Sequence, residues 1–311
     1  MKIVTSYQKP DLDGVACMYA YSEFLNLHGE NTNYFIYDEP KCEVDIVCNL
    51  FNINLEGLKI EDIDESYEFV ITDCNGIDSV HSIIKPEKIV EIIDHHSLSR
   101  YLPQYTHIQK CQIDKVGAAA TIVAERFKNS NIKPSRESAI LLFYAIISNS
   151  INLKASITKT RDIEICKWLD SICEDISYEK INEIFIKKSK IDDQNLRSEM
   201  ECEIPITFND FSTLTGQIEV ANLEDFLLTH KEKMVNILKQ VQIEKNVDYV
   251  FINCVDILNG FIIVIPVDND SKKFVEDTFG YKFDESGVAK INRIIQRKDM
   301  ANILRQKYLN N

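Results

Sequence analysis

Six side chains capable of binding a cation stand where apolar runs stop: Asp11 and Asp13 in KPDLDG, Asp73 in VITDCNG, and Asp94, His95 and His96 in KIVEIIDHHSLSR. Carboxylate mixed with imidazole, and no thiolate, is a donor set for Mn²⁺ or Mg²⁺, with Zn²⁺, Co²⁺ or Fe²⁺ as competitors. Four carboxylates converging on one place would repel each other unless a cation joined them. Each piece has a plain explanation by itself: a D-x-D after a strand is often a turn or a helix N-cap, and a histidine pair alone says little. Their joint occurrence at the ends of three apolar runs is what turn chemistry does not explain. His28, His81, His107 and His230 lie apart from the pattern and read as ordinary residues.

These groups meet only if strands deliver them to one edge. Short β-rich runs at 2–7, 32–38, 67–73 and 88–94 alternate with helical stretches such as 14–29, which Gly29 is placed to end. Alternation of this kind predicts a parallel sheet, and parallel strands present all their carboxyl ends to one side, where ligands bind. Residues 116–130, 136–150, 161–176 and 178–191 read as further helices, with Pro134 and Ser135 marking the start of the second. The polar stretch KKSKIDDQNLRSEME interrupts the pattern. Beyond it the alternation restarts, with strands expected at 215–222, 248–257 and 260–268 and a helix at 223–245. The expected fold class is α/β, a parallel-sheet domain over 1–187, a linker over 188–200, and a second, smaller α/β domain over 201–311.

At 311 residues the chain is long enough for two cores. With 49 acidic against 35 basic side chains and a formal charge of −14, it would repel a phosphate surface, which disfavours coating nucleic acid or a membrane. An anionic substrate must then be drawn in by bound metal or a few placed cations; the cations gather in the last stretch, 289–308. The nine cysteines form no C-x-x-C pair and sit mostly in apolar stretches, as in a reducing compartment. No signal-like segment and no run of about 18 apolar residues occurs, so the expected location is cytoplasmic.

The motifs SYQKPDLDGVACMYAY, VITDCNG, IIDHHS and VGAAATIVAERF followed by SAILLFYAIISNSINLKASITKTRD resemble, in order, those of the DHH phosphoesterase superfamily, most closely the manganese-dependent family II inorganic pyrophosphatases. GQIEVANLEDFLL, DYVFINCVDILNGFIIVI and QRKD resemble that family's C-terminal DHH-associated domain. The resemblance implies an active site in the cleft between the domains, and two Mn²⁺ ions, with Co²⁺ or Mg²⁺ as substitutes. It implies that Asp11 and Asp73 bind one metal, that Asp13, Asp73 and His95 bind the other, and that Asn149 stands at a further ligand position. It also implies that His96 contacts the phosphate, that Asp94 orients a ligand histidine, and that Arg297 and Lys298 hold the anion. A small phosphorylated substrate and a homodimer follow in the same way.

Three positions depart from the family pattern. Tyr7 stands where the pyrophosphatases place a histidine, Asn149 where they place an aspartate, and RSEMECEIPITF lacks the substrate lysine. Tyr7 and Asn149 weaken metal binding by removing donor strength or charge. The expectation is therefore a metal-dependent hydrolase of pyrophosphate or short polyphosphate. The competing expectation is a degenerate homologue that binds metal or a phosphorylated ligand without turnover. A bland explanation of Arg297 and Lys298, that cations in the last turn of a terminal helix complement its dipole, stands beside their anion-binding role.

Overall fold

The computed structural model describes residues 1–96, 107–108, 110–202 and 205–308; Ser97, which closes the IIDHHS motif, lies outside them. The chain divides into two units, Met1–Leu153 with Ile157–Ile184, and Lys154–Ser156 with Phe185–Asn311.

The first unit is built on a five-stranded parallel sheet in the order β2-β1-β3-β4-β5. Its strands are β1 (Lys2–Thr5), β2 (Thr32–Tyr34), β3 (Glu68–Thr72), β4 (Ile89–Asp94) and β5 (Lys110–Ile113). The central runs, such as FVI in β3, are buried throughout, as expected of strands covered on both faces. Helices α1 (Leu12–Leu27), α3 (Ala119–Asn129) and α4 (Arg136–Asn149) pack together and against the strands. Ile3, Phe35, Phe69, Ile71, Ile89 and Ile92 form a second apolar cluster with Val80 and Ile84. Helices α2 (Cys42–Phe51), α5 (Thr160–Ile172) and α6 (Tyr178–Lys188) also belong to the unit, with α6 ending across the unit's limit at Ile184.

The parallel sheet appears as expected. Strand β2 ends at Tyr34, earlier than the 32–38 run predicts, and Phe35 continues it only as an isolated bridge to Leu58. Helix α1 begins two residues early because Asp11 caps it. Gly29 follows its end with φ +82°, a conformation open to glycine without strain. Strand β5 lies outside the β-rich runs of the sequence. Its sequence, KCQI, is an exposed edge with no apolar run to announce it.

The second unit carries a sheet in the order β10-β9-β8-β7-β6. Strand β7 (Ser212–Val220) returns through the 23-residue helix α8 (Leu223–Lys245) to pair in parallel with β8 (Tyr249–Asp256). Strands β6 (Ile206–Thr207), β9 (Phe261–Pro266) and β10 (Ala289–Ile291) pair antiparallel. Inward residues of α8, Leu223, Met234, Leu238 and Val241, close over Leu214, Ile218, Ile252 and Cys254. The short helix α7 (Leu196–Glu199) adds Leu196 and Met200, both fully buried, to this core, although the surrounding sequence is polar. Helices α9 (Asn269–Phe279) and α10 (Arg297–Tyr308) complete the unit.

Candidate metal centre

Strands β1, β3 and β4 end side by side, so their loops open at one edge of the sheet. Asp11 is the N-cap of α1; its Oδ1 accepts from the amides of Asp13 at 2.9 Å and Gly14 at 3.2 Å. The plain capping explanation therefore applies to Asp11, at one carboxylate oxygen. Gly14 is required by close approach, since a Cβ there would lie 2.8 Å from Ser6 Oγ.

Asp13 has a different task. It is buried, and its two oxygens accept from the amides of Ala119 at 2.8 Å and Ala120 at 2.7 Å, the first turn of α3. Ala118, the N-cap of that helix, has no capping side chain, so a carboxylate more than a hundred residues away takes its place. Asn149, the last residue of α4, donates its amide to Asp13 Oδ2 at 3.0 Å.

Asp73 follows β3 with φ +55°, in the left-handed region that a non-glycine residue enters only under constraint. Its amide is tied to the Ile93 carbonyl at 2.8 Å. The carboxylate is buried and Oδ1 has no hydrogen-bond partner. Burial first, then the charges of Asp13 and Asp11, push its pKa well above the carboxylate range. Burial also raises Asp13, against the favourable charge of His95.

His95 Nδ1 lies 3.0 Å from the Val116 carbonyl, which can only accept, so Nδ1 carries a proton and, when the ring is neutral as metal binding requires, Nε2 carries its lone pair. Nε2 faces Asp73 Oδ1 at 3.4 Å, Asp13 Oδ2 at 3.7 Å and Asn149 Nδ2 at 3.4 Å. His96 Nδ1 donates to Asp94 Oδ1 at 2.8 Å and stands 3.7 Å from Asp73 Oδ1. Asp94 thus orients His96, not His95 as the metal-ligand reading expected; a backbone carbonyl does that work for His95. Burial alone would raise Asp94, but the hydrogen bonds and charge of His96, with the Asn75 amide, hold it below the usual range. Burial disfavours a charged His96, yet Asp94 and the charge of Asp73 outweigh it and raise the imidazole above its ordinary value.

Among the described residues, Asp73, His95 and His96 form a group with ligand atoms within 4.8 Å of one another. Oxygen and nitrogen donors about 2.1 Å from a cation lie about 3 Å from each other when adjacent in its shell, close to the 3.4 Å between Asp73 Oδ1 and His95 Nε2. The unpartnered Asp73 oxygen, the lone pair of His95 and the neighbouring Asp13 therefore fit a divalent cation. Cys17, 3.6 Å from Asp13, is a neutral thiol whose pKa burial and then the carboxylates push up, so no thiolate enters the set. Tyr7 is likewise neutral: burial, then Asp11 and Asp73, push its phenol well up, and its hydroxyl accepts the Asp11 amide at 3.2 Å.

Arg297 and Lys298 belong to the second unit, where they open α10. Dipole complementation would need them in the last turn; they stand in the first, where a helix already presents positive charge. The Val116 carbonyl and the Ala119 and Ala120 amides were not read from sequence. The small residues of VGAAAT were the only signal that a backbone might approach closely there.

The DHH family, N-terminal domain, matches residues 2–146. A "Probable manganese-dependent inorganic pyrophosphatase" of Clostridium acetobutylicum is 25% identical over 301 residues, covering 95% of this chain and 94% of that one. The "Manganese-dependent inorganic pyrophosphatase" of Bacillus subtilis is 23% identical over 301 residues, with 95% and 94% covered. The solved structure of a Methanococcus jannaschii "putative family II inorganic pyrophosphatase" superposes with a TM-score of 0.72 at 22% identity, covering 99% of this chain and all of the other (100%). An "exopolyphosphatase-related protein" from Bacteroides fragilis gives a TM-score of 0.50 at 12% identity, with 99% and 92% covered. These two likenesses show the fold.

Proposed function

On the match of residues 2–146 to the DHH family, N-terminal domain, we propose that this protein is a metal-dependent phosphohydrolase that cleaves pyrophosphate or short polyphosphate with a metal-activated water. One observation carries the reading: Asp73 Oδ1, buried and unpartnered on a left-handed residue, faces the lone-pair nitrogen of His95 at 3.4 Å. Two acceptors at that distance must share either a proton or a cation, and the raised pKa of Asp73 marks a site where a divalent ion can take the proton's place. The names of the relatives favour Mn²⁺. Asp13, Asp73 and His95 hold the ion, with Asn149 beside them and Asp11 at the edge of the cluster.

A divalent cation bound there supplies Lewis acidity and a water acidified toward neutral pH. The rest is done by the chain. Val116 fixes the His95 ring, and the α3 amides fix Asp13, so neither ligand needs to reorganise. His96, with its side chain 52% exposed and Nδ1 engaged by Asp94, keeps Nε2 as its remaining ring nitrogen for substrate. Its raised pKa lets it hold a proton there for a phosphate oxygen as the leaving group departs. Arg297 and Lys298 are assigned to the anion on the resemblance of the QRKD segment, since cations at the head of α10 do not complement its dipole.

A specific observation favours the second reading, a binding protein without turnover: Asn149 already satisfies Asp13 with a neutral amide, and Tyr7 is a neutral phenol. Phosphate release from pyrophosphate, triphosphate and long polyphosphate, each with Mn²⁺, Co²⁺ or Mg²⁺, separates the two. Release that needs metal and disappears in Asp73→Asn establishes the hydrolase. Mn²⁺ binding with no release from any of the three supports the binding protein instead.

A further inference from the structure

We propose that Glu201 is an intramolecular counter-ion that an incoming phosphoryl group must displace from Arg297, and that Gln217 is the positioning residue that holds the pair. The inference rests on the reading of Arg297 as an anion-binding residue and concerns what governs its affinity.

Arg297 is held from two sides. Its backbone amide donates to the side-chain Oε1 of Gln217 at 2.6 Å. Its guanidinium donates through Nη1 to the Glu201 carbonyl at 2.5 Å and pairs through Nη2 with the Glu201 carboxylate at 3.2 Å. Gln217 also donates its own backbone amide to the Met200 carbonyl at 3.0 Å. One residue of β7 therefore fixes both the start of the helix that carries the cation and the turn that carries its counter-ion. Asn253, the register partner of Gln217 on β8, reinforces the arrangement by donating to the Ile295 carbonyl at 2.7 Å.

The turn is constrained. Glu201 has φ +44°, a left-handed conformation that costs a residue with a side chain and persists where neighbours enforce it. That conformation brings its carbonyl and its carboxylate to the same guanidinium. The pair is nevertheless open to water, with 38% of the arginine and 44% of the glutamate side chain exposed. Exposed ion pairs are weak and salt-screened, whereas a guanidinium meets a phosphoryl group with two parallel charge-assisted hydrogen bonds. Glu201 thus keeps Arg297 oriented in the absence of ligand, yields to a phosphoryl group, and by its repulsion helps the product leave.

The test is the affinity of the Mn²⁺-loaded protein for inorganic phosphate by calorimetry, at low salt and at about 0.5 M salt, for Glu201→Gln, Arg297→Ala and the double variant. Removing an exposed competitor should tighten phosphate binding about two- to five-fold at low salt, with the gain shrinking at high salt and vanishing in the Arg297→Ala background. In turnover, KM for pyrophosphate should fall with it while kcat stays level or drops. Unchanged phosphate affinity in Glu201→Gln, with weakened binding in Arg297→Ala, overturns the inference and leaves the hydrolase reading standing. Unchanged affinity in Arg297→Ala removes Arg297 from the anion site and takes the inference with it. A lowered melting temperature in Glu201→Gln without an affinity change makes the pair a structural tie and likewise overturns it.

Discussion

Replacing Asn149 by aspartate tests the metal centre most directly, because the substitution changes charge and almost nothing else. In the wild-type chain the Asn149 amide donates to Asp13 Oδ2 at 3.0 Å. A second carboxylate at that distance meets a repulsion of about 5 kcal/mol at an effective dielectric constant of 20. The chain can escape by protonating one of the two acids, which at pH 7.5 costs about 5 kcal/mol from an ordinary carboxylate pKa and less at Asp13, whose pKa burial already raises. Without metal, Asn149→Asp should thus lose up to about 5 kcal/mol at pH 7.5, or up to roughly 10–20 °C in melting temperature for a unit of this size. Near pH 4.5 protonation is almost free, and the loss should fall to about 1 kcal/mol. Adding Mn²⁺ should reverse the order, since a third carboxylate enters the set and affinity should rise at least about tenfold. Melting curves in chelator at the two pH values, with calorimetric titration of Mn²⁺, measure both effects. An apo variant that melts with the wild type at pH 7.5 and binds Mn²⁺ no more tightly would refute the placement of Asn149 in the centre.

Other consequences follow from the same geometry. In the folded chain the pKa of Asp73 lies well above its ordinary value and that of Asp13 is raised, so the folded state binds more protons than the unfolded one as pH rises past about 3.9. The metal-free protein should therefore lose stability with rising pH through that window, Mn²⁺ should restore it, and Asp73→Asn should flatten the trend in thermal melts. Asp94→Asn should lower the His96 pKa, because the Asp94 hydrogen bond and charge are needed, with the charge of Asp73, to offset burial there; the proton NMR titration of His96 should move down, and the alkaline limb of turnover with it. Gly14→Ala places a methyl 2.8 Å from Ser6 Oγ and 3.1 Å from Pro10 Cβ, so it should cost about 1–3 kcal/mol in denaturant melts and weaken Mn²⁺ binding through the Asp11–Asp13 turn.

The sequence alone determined whatever depends on neighbours along the chain. Apolar runs of strand length, helical stretches between them and terminators such as Gly29 gave the α/β alternation, because periodicity and turn preference are local properties. The acids at strand ends gave the chemistry, because parallel strands all finish at one edge. Tertiary structure decided the division of labour among those residues. Asp11 and Asp13 look alike in KPDLDG, yet one caps its own helix and the other caps α3 across 106 residues. His95 and His96 are adjacent, yet one is turned by the Val116 carbonyl and the other by Asp94. Nor could spacing show that Arg297 opens its helix, anchored by Gln217 and paired with Glu201. A hydrogen bond to a distant backbone leaves no periodic trace, since any residue offers the same amide and carbonyl, and only the packed sheet fixes which one arrives.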